Sequence, residues 1–291
     1  MTIFCYGSIN IDHVHTVPHF PQPGETLSDT SYQVHLGGKG ANQALAARAA
    51  GATVEMIGAV GHDGEWALSK LAAAGIGLST VPVVEAATGH AVIFVTPDGE
   101  NQIVIHGGAN RQLDLQSASN ALTHAQKGDW WLCQNETNSV AEAAKAARAA
   151  GMKVAYAAAP FGADATAAVL PHADLLAVNS GEAAALAGHL GCPIEEILVP
   201  ILLVTEGATG AYVISEGERV SIDAFPVTAV DTTGAGDTFL GTFLAWLDQG
   251  HNFAEALRRA AAAAAVQVTR PGAGDAIPSA TEVDEFLRDN A

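Results

Sequence analysis

Basic residues are scarce in this sequence, and their scarcity argues against two classes of partner. Lys and Arg total 13 against 31 Asp and Glu, a formal net charge of −18 at pH 7. Nucleic-acid binding needs a basic stripe, and the only adjacent basic pair is Arg258-Arg259. An anionic membrane surface is disfavoured for the same reason. We therefore expect neither partner, while small anionic substrates stay compatible because a few local donors outweigh a distant net charge.

Cysteine is rare as well, and long apolar runs are absent. The three cysteines, Cys5, Cys133 and Cys192, form no CxxC pair, and the first two lie in apolar strand-like segments. Buried free thiols are therefore expected rather than disulfides or metal ligands. No uninterrupted apolar stretch reaches about 18 residues, which predicts no transmembrane helix. The first residues lack a basic segment followed by an apolar run, so we expect no signal peptide and a cytoplasmic location.

Several common catalytic motifs are also missing. The 11 histidines include no HExxH and no pair at helical spacing, which argues against a transition-metal site. There is no GxSxG elbow. The segment Gly37–Gln43 is not a Walker A loop, because Gly40 stands where Ser or Thr is needed. No GxGxxG follows the first strand-like segment, which disfavours a nicotinamide-dependent oxidoreductase.

What the sequence does have is a regular alternation of strand-like and helix-like segments. Its 291 residues are 49% hydrophobic, with 30 glycines, enough for one large α/β domain. The predicted strands are Ile3–Gly7, Val54–Val60, Trp130–Gln134, Lys153–Ala157, Leu175–Asn179 and Ile201–Thr205. The predicted helices between them are Ala41–Ala50, Glu65–Ala74, Ser139–Ala150 and Glu182–Gly188. This alternation predicts a doubly wound, mostly parallel sheet covered by helices on both faces.

Two segments interrupt the alternation and predict a separate small sheet. Residues 11–36 contain three prolines and then the alternating stretch Tyr32–Leu36. Residues 90–106 contain two strand-like runs around the turn Pro97-Asp98-Gly99, which indicates a hairpin. We expect a β lid over one edge of the main sheet, within a single domain spanning residues 1–291; a plain surface hairpin is the alternative. Towards the C-terminus, the pattern predicts another hairpin and then helices over Thr238–Asp248 and Phe253–Val268.

The most informative motif is the segment Asp231–Phe239. Small residues at 234–236 leave backbone N–H groups free at the start of a helix, where the helix dipole favours an anion such as phosphate. Asp237 lies in the first turn, where its carboxylate can accept a proton from a hydroxyl. A plain helix cap is the structural alternative for Asp237.

Other polar residues follow the predicted strands, where ligands of open α/β sheets bind. Asn10 and Asp12 follow the first strand, and the glycine-rich segment 37–43 offers donors from Lys39 and Asn42. Further candidates on this rim are Glu136, Asn179, Glu182 and the turn Thr205–Gly210. Glu182 can hold Mg²⁺ through water. Turn and capping roles for Asn10, Asp12 and Asn179 stay open at this point.

Taken together, these motifs resemble the ribokinase (PfkB-type) family of sugar kinases over nearly the whole chain. In family order they are Gly7–His13, Pro23–Thr26, Gly37–Gln43, Asn179–Glu182, Asp231–Phe239 and Thr269–Gly272. Within the family, Val92–Asn110 is most similar to the members that phosphorylate ribose. The resemblance implies an αβα domain with a β lid, dimerisation through that lid, and a requirement for ATP and Mg²⁺.

The resemblance also implies roles for individual residues. Asp237 would be the catalytic base, and Gly234, Ala235 and Gly236 the anion hole. The sugar would contact Asn10, Asp12, Gly38, Lys39, Asn42, Glu136 and Asp237. The nucleotide would contact Asn179, Thr205, Glu206, Gly207, Gly210 and Gly236, with Glu182 towards Mg²⁺. A monovalent cation, K⁺ as activator, would be held by Asp231, Thr233, Gln267, Arg270, Gly272 and Ala276.

The sequence departs from the family pattern at three places. Ala276 replaces a hydroxyl residue in the cation loop, Ala261 replaces a common His or Asn near adenine, and the segment between Gly188 and Ile201 is about one helix too short. The motif residues are unaffected. We predict an ATP-dependent kinase acting on the primary hydroxyl of a pentose, foremost O5 of ribose. The alternatives are a kinase for a nucleoside or another sugar, and a sugar-binding sensor without catalysis.

Overall fold

The computed structural model describes residues 1–290, which form fourteen strands and nine α-helices. The strands are β1 (Thr2–Tyr6), β2 (Asn10–Thr16), β3 (Ser31–Gly37), β4 (Thr53–Ile57), β5 (Val60–Gly61), β6 (Val83–Val84), β7 (Gly89–Val95), β8 (Asn101–His106), β9 (Trp130–Cys133), β10 (Lys153–Ala157), β11 (Leu175–Asn179), β12 (Ile201–Thr205), β13 (Gly210–Ser215) and β14 (Glu218–Asp223). The helices are α1 (Lys39–Ala49), α2 (Glu65–Ala73), α3 (Leu115–Leu122), α4 (Val140–Ala149), α5 (Ala163–Val169), α6 (Ser180–Leu190), α7 (Ala235–Asp248), α8 (Phe253–Val268) and α9 (Ala280–Asp289).

The main sheet has eight strands in the order β14-β13-β12-β11-β10-β9-β1-β4. The six strands from β12 to β4 run parallel, and β13 and β14 add an antiparallel hairpin at one edge. Parallel neighbours need crossover connections, and the helices supply them. The predicted α/β class with a mostly parallel sheet is therefore confirmed.

Both faces of this sheet are buried, because alternate side chains of each strand enter different cores. In β1, Ile3 and Cys5 pack into one cluster, while Phe4 and Tyr6 pack into the other. Helices α1, α7 and α8 supply the first cluster, and α4 and α6 supply the second. Strands buried on both faces become continuous apolar runs, which explains why the sequence shows them so clearly.

A second sheet of four strands has the order β3-β2-β7-β8. Strands β2 and β7 pair in parallel, and β3 and β8 extend the sheet antiparallel on either side. These strands come from the two segments that interrupt the alternation, so the expected separate small sheet is present. We call this four-stranded sheet the lid. Its edge strand β8 is exposed along its whole length.

Several boundaries and elements differ from the sequence prediction. Val54–Val60 is not one strand, because β4 ends at Ile57 and a separate two-stranded pairing of β5 with β6 follows. Helices α3, α5 and α9 were not predicted, although Ser279 and Glu282 form a capping box at the start of α9. The short segment after Gly188 completes α6 at Leu190 and then makes only one 3₁₀ turn at Ile194–Glu196. Among residues 1–290, no helix combines the length and apolarity that crossing a bilayer requires.

Candidate active site

Part of the predicted site lines a cleft of about 180 Å³ at the carboxyl ends of the parallel strands. Of the predicted sugar contacts, only Lys39 and Asp237 are among its lining residues. Helices α1, α6 and α7 each have residues of their first turn in the lining of this cleft. The cleft is lined by Lys39, Asn179, Glu182, Thr205, Gly234, Ala235, Gly236 and Asp237. Seven residues predicted from the nucleotide and catalytic motifs are thus brought beside Lys39 of the glycine-rich segment.

Asp237 lies at the bottom of the cleft in the first turn of α7, with only 8% of its surface exposed. Its Oδ1 accepts a hydrogen bond from Gln43 Nε2 at 2.8 Å, and its Oδ2 accepts one from Asn42 Nδ2 at 3.2 Å. Helix α7 begins after Gly234 without a side-chain cap. The carboxylate is therefore held by α1 and does not serve as the helix cap that the sequence left open.

Burial raises the pKa of Asp237 above its usual range, because the charged form loses its hydration. The charge of Lys39 and the donors on Gln43 and Asn42 act in the opposite direction. In return, the Asp237 carboxylate raises the pKa of Lys39. A carboxylate whose proton affinity is increased in this way is suited to receive a proton from a hydroxyl at neutral pH.

A close crossing of α1 and α7 places these groups together. A Cβ on Gly241, one turn beyond Asp237, would lie 2.4 Å from the carbonyl oxygen of Gln43 and 2.8 Å from Cβ of Ala46. Only glycine at this position lets the two backbones come so near. The crossing therefore fixes the distance between Asp237 and the two carboxamides of α1.

The segment before Asp237 presents backbone donors at the N-terminus of α7. Gly234 has a φ of 76°, a left-handed conformation that glycine adopts without strain. The N–H of Ala235 donates to the carbonyl of Thr232 at 3.2 Å, so this amide is used within the turn. Among residues 1–290 the N–H groups of Gly234 and Gly236 have no acceptor, which leaves two of the three predicted anion-hole amides available.

Asn10 and Asp12 lie on β2 of the lid and are buried, and neither is among the lining residues of the cleft. The Oδ1 of Asn10 accepts a hydrogen bond from Asn110 Nδ2 at 2.7 Å. Burial raises the pKa of Asp12 to about 6, and the negative charge of Glu136 adds to this increase. Asn10 and Asp12 are therefore polar side chains with little access to water.

Glu136 connects the end of β9 with the start of α1. Its Oε2 accepts hydrogen bonds from the hydroxyl of Ser8 and from the backbone N–H of Lys39, the latter at 3.1 Å. The approach needs Gly38, whose φ is 90° and whose Cβ would lie 2.8 Å from the backbone nitrogen of Asn10. Glycine at position 38 thus lets the loop pack closely against Asn10. This packing places Lys39 beside Glu136 and at the cleft.

Among the residues predicted to contact the nucleotide, Asn179 forms the capping box of α6 with Glu182. Asn179 Oδ1 accepts from the N–H of Glu182 at 2.9 Å, and Glu182 Oε2 accepts from the N–H of Asn179 at 2.8 Å. The capping role that the sequence left open for Asn179 is thus present. Both side chains nevertheless line the cleft. Burial raises the pKa of Glu182.

The turn after β12 contributes less to the cleft than expected. Thr205 lines the cleft, but Glu206, Gly207 and Gly210 are not among its lining residues. Gly210 is buried, and a Cβ there would lie 2.1 Å from the carbonyl oxygen of Ile222. Position 210 therefore requires glycine, because any side chain there would collide with β14.

The carboxylates of the cleft fit Mg²⁺ only as an ion whose ligands are mainly phosphate oxygens and water. Within the described part of the chain, no three Asp, Glu, His or Cys side chains are grouped to hold a metal by themselves. Glu182 brings one carboxylate to the cleft, and Oε2 of that carboxylate is occupied by the capping bond. Mg²⁺ commonly keeps several waters and takes few protein carboxylates.

The predicted cation residues come together behind the start of α7. Asp231 accepts hydrogen bonds from the N–H groups of Thr233 and Gly272, each at 2.9 Å, and so ties the two loops to each other. Gln267 donates to the carbonyl of Thr233 at 2.9 Å, and its own Oε1 is buried without a partner. This unpartnered amide oxygen is an atom that a monovalent cation can coordinate.

Besides Gly272, which has no side chain, two members of the predicted cation set have no free side-chain donor atom. The guanidinium of Arg270 pairs with Glu282 at 2.6 Å, and Ala276 is buried with no side-chain oxygen to offer. These two residues are left with their backbone carbonyls as ligands.

Three residues of the site were not predicted from the sequence. Asn110 joins the site through Asn10, and Gln134 donates to Gln43 Oε1 at 2.7 Å behind Asp237. Ser8 donates to Glu136. Gln43 lay within the glycine-rich motif, and Gln134 lies two positions before Glu136, but nothing in the sequence shows that they are bonded to each other.

Comparison with known proteins identifies the family of this chain. The sequence profile of the pfkB family of carbohydrate kinases matches residues 2–280. The chain therefore belongs to the pfkB carbohydrate kinase family, and the predicted class of sugar kinase is confirmed.

Individual relatives agree with the family match. The chain is 38% identical to a protein named ribokinase from Haemophilus influenzae, covering 98% of both chains, and 37% identical to one from Bacillus subtilis, covering 97% of both. Among solved structures it resembles Arabidopsis thaliana ribokinase complexed with ribose and ATP. That match has a TM-score of 0.83 at 30% identity and covers 99% of this chain and 98% of the other.

Proposed function

We propose that this chain is a ribokinase, which transfers the γ-phosphoryl group of ATP to O5 of D-ribose. The observation that carries the proposal is the position of Asp237. Its buried carboxylate is held by Asn42 and Gln43 and lies beside the free amides of Gly234 and Gly236 at the N-terminus of α7. A base and an anion-binding helix end thus meet in one cleft, as in-line phosphoryl transfer requires.

In the proposed reaction, the polar residues on the lid side bind and orient the sugar. Asn10, Asp12 and Glu136 accept hydrogen bonds from its hydroxyls. The primary hydroxyl then lies against Asp237, which takes its proton as the new O–P bond forms. The bond between the γ-phosphorus and the β–γ bridging oxygen breaks in the same step, and ADP leaves with that oxygen. The amides of Gly234 and Gly236 donate to the phosphoryl oxygens, and the charge of Lys39 stabilises them.

The nucleotide occupies the other half of the cleft in this proposal. Asn179 and Thr205 contact ATP directly, and the turn containing Glu206, Gly207 and Gly210 borders it. Glu182 holds Mg²⁺ through water. The ion neutralises charge on the ATP phosphates when it is bound. The chain's own contribution is to fix both substrates at the N-termini of α6 and α7, where the helix dipoles favour negative charge.

The experiment that tests the proposal measures ADP release from ATP and Mg²⁺ with a panel of pentoses, hexoses and nucleosides. We expect strong turnover with ribose and little with the others. Turnover with a nucleoside or a hexose would contradict the choice of substrate while keeping the kinase. Sugar binding without any turnover would point to a sensor.

We also propose that K⁺ activates the enzyme at the loops containing Asp231, Thr233, Gln267, Arg270, Gly272 and Ala276. The buried, unpartnered Oε1 of Gln267 supports this site, because a buried oxygen without a hydrogen-bond donor is stabilised by a coordinated cation. Repeating the assay in Na⁺ and in K⁺ tests it. Equal rates in the two salts would contradict K⁺ activation.

We further propose that two copies form a homodimer through their lids. Tyr32, Val34 and Val104 share one face of the lid and are 52%, 40% and 67% exposed. Sedimentation of wild type and Val104→Glu tests the contact, and we expect the variant to be monomeric. The control is Leu198→Glu, which places the same charge at a 98% exposed position outside the lid. A monomeric wild type would contradict the proposal. The cytoplasmic location stays a prediction.

A further inference from the structure

Behind the proposed base, three side chains from distant parts of the sequence form a chain of hydrogen bonds. Gln134, which directly follows β9, donates through Nε2 to Oε1 of Gln43 at 2.7 Å. Gln43, on α1, donates through its own Nε2 to Oδ1 of Asp237 at 2.8 Å. Gln134 is completely buried and Gln43 is 1% exposed, so water does not compete for these bonds.

We propose that Gln134 is a positioning residue for phosphoryl transfer, which acts through Gln43 to hold the Asp237 carboxylate in its reactive orientation. The proposal rests on the assignment of Asp237 as the base. It adds a residue that does not line the cleft and touches neither substrate in the proposed reaction.

The direction of the two bonds explains the effect. A carboxamide has a donor end and an acceptor end, and either end of Gln43 fits the same space. Since Gln134 presents its N–H₂ to Gln43, the oxygen of Gln43 must face Gln134, and its N–H₂ must face Asp237. With the amide of Gln43 reversed, an oxygen would face the carboxylate in a buried site, which is strongly unfavourable.

The residues packed around Gln134 hold its carboxamide in this position. A Cβ on Gly7 would lie 2.3 Å from Oε1 of Gln134 and 2.7 Å from Cα of Gly40. Glycine at position 7 therefore leaves just enough room for the carboxamide between β1 and α1. The Oε1 of Gln134 is buried without a partner, so the side chain gives up one hydrogen bond to keep its donor on Gln43. A purely structural glutamine would be expected to satisfy both ends.

The test compares Gln134→Met, Gln43→Met and the double variant in the full-length protein. Methionine keeps a similar length and removes the amide. For Gln134→Met we expect kcat to fall about tenfold at neutral pH with the KM for sugar nearly unchanged. We expect the acidic limb of the kcat profile to move to higher pH, because the carboxylate loses part of its stabilisation.

The double variant shows whether Gln134 acts through Gln43. If it does, the double variant has the same kcat as Gln43→Met alone. Additive losses would overturn the proposal. A wild-type kcat and pH profile in folded Gln134→Met would overturn it too, as would a change confined to the KM for sugar. If Gln134→Met does not fold, Gln134→Asn, whose amide is one methylene too short to reach, carries the same expectations.

Two controls separate this proposal from the one on which it rests. Thr166→Val removes a completely buried hydroxyl that contacts Tyr156 on the other face of the sheet, and it should leave the pH profile unchanged. Asp237→Asn must abolish most turnover. Full activity in Asp237→Asn would refute the base assignment itself, whereas an inactive Asp237→Asn beside a normal Gln134→Met would refute only the role of Gln134.

Discussion

The carboxamide of Asn110 donates to Oδ1 of Asn10 at 2.7 Å, although 100 positions separate the two residues. Asn110 also accepts from the N–H of Ile9 at 3.0 Å and donates to the carbonyl of Ile9 at 3.3 Å. One buried side chain at the end of the lid hairpin thus fixes the backbone and the side chain at the start of β2. The proposed sugar contact Asn10 is held in place by this connection.

Asn110→Ala should therefore weaken sugar binding more than turnover. The substitution leaves the N–H of Ile9 and the Oδ1 of Asn10 without partners, so we expect the KM for ribose to rise about tenfold or more. Steady-state kinetics measure the change. Asn120→Ala, at an exposed position on α3, is the control and should behave as wild type. An unchanged KM in Asn110→Ala would show that Asn10 needs no support.

Asp237→Asn should lose turnover by about 10²–10⁴-fold, because the amide cannot accept the proton of the sugar hydroxyl. The shape of the side chain is kept, so the protein should fold and bind ribose with little change. Kinetics and calorimetric titration with ribose measure the two effects separately. Near-wild-type turnover would contradict the role of Asp237.

The raised pKa of Asp12, about 6, predicts a pH-dependent stability. The folded state binds the proton of Asp12 more tightly than the unfolded state does, so protonation of Asp12 stabilises the fold. This contribution to the free energy of unfolding is complete below pH 3.8 and is lost as pH rises through about 6. Asp12→Asn removes the charge, so it should raise the melting temperature more at pH 7.5 than at pH 5. Thermal melts at both values measure the difference, and equal shifts would contradict the raised pKa.

The same pKa predicts the opposite trend for catalysis. If ionised Asp12 accepts hydrogen bonds from the sugar, kcat/KM for ribose should rise as pH increases through about 6. In Asp12→Asn that part of the acidic limb should disappear, and the contribution of Asp237 should stay. A pH profile of the two proteins tests this expectation.

Gly241→Ala should destabilise the protein by about 1–3 kcal/mol, because the new Cβ meets the backbone of α1 and forces α1 and α7 apart. Activity should fall too, since Asn42 and Gln43 move away from Asp237. Gly188→Ala is a matched control, because it lies within a helix and its Cβ would meet nothing within 4 Å. Alanine at 188 should be neutral or stabilising, and urea unfolding of both variants measures the contrast.

Glu182→Gln should raise the Mg²⁺ concentration needed for half-maximal activity by about tenfold, since the variant keeps the capping geometry and loses the charge. Glu255→Gln is the matched control. Glu255 forms the same capping box with Asn252 at the start of α8, and it does not line the cleft. Titration of activity with Mg²⁺ compares them. An identical response in the two variants would contradict a role for Glu182 at the metal.

Much of this protein is determined by local sequence. Strands such as Trp130–Cys133 are buried on both faces, so they are continuous apolar runs that the sequence reveals directly. The motif before Asp237 combines small residues with a helix start, and those local requirements predicted the N-terminus of α7. The polar residues after strands were also predictable, since the ends of parallel strands share one edge of a sheet.

The tertiary structure decided which of these residues contact each other. No local pattern relates Asp237 to Gln43 and Gln134, because their bonds depend on how α1 crosses α7 and where β9 lies in the sheet. The same holds for Asn110 and Asn10, which meet only when the lid pairs β2 with β7. Helices α3 and α5 were missed because they are short, with eight and seven residues, and helices of this length depend on tertiary packing for their stability. Local chemistry specified the elements and the reacting groups, and long-range packing specified their partners.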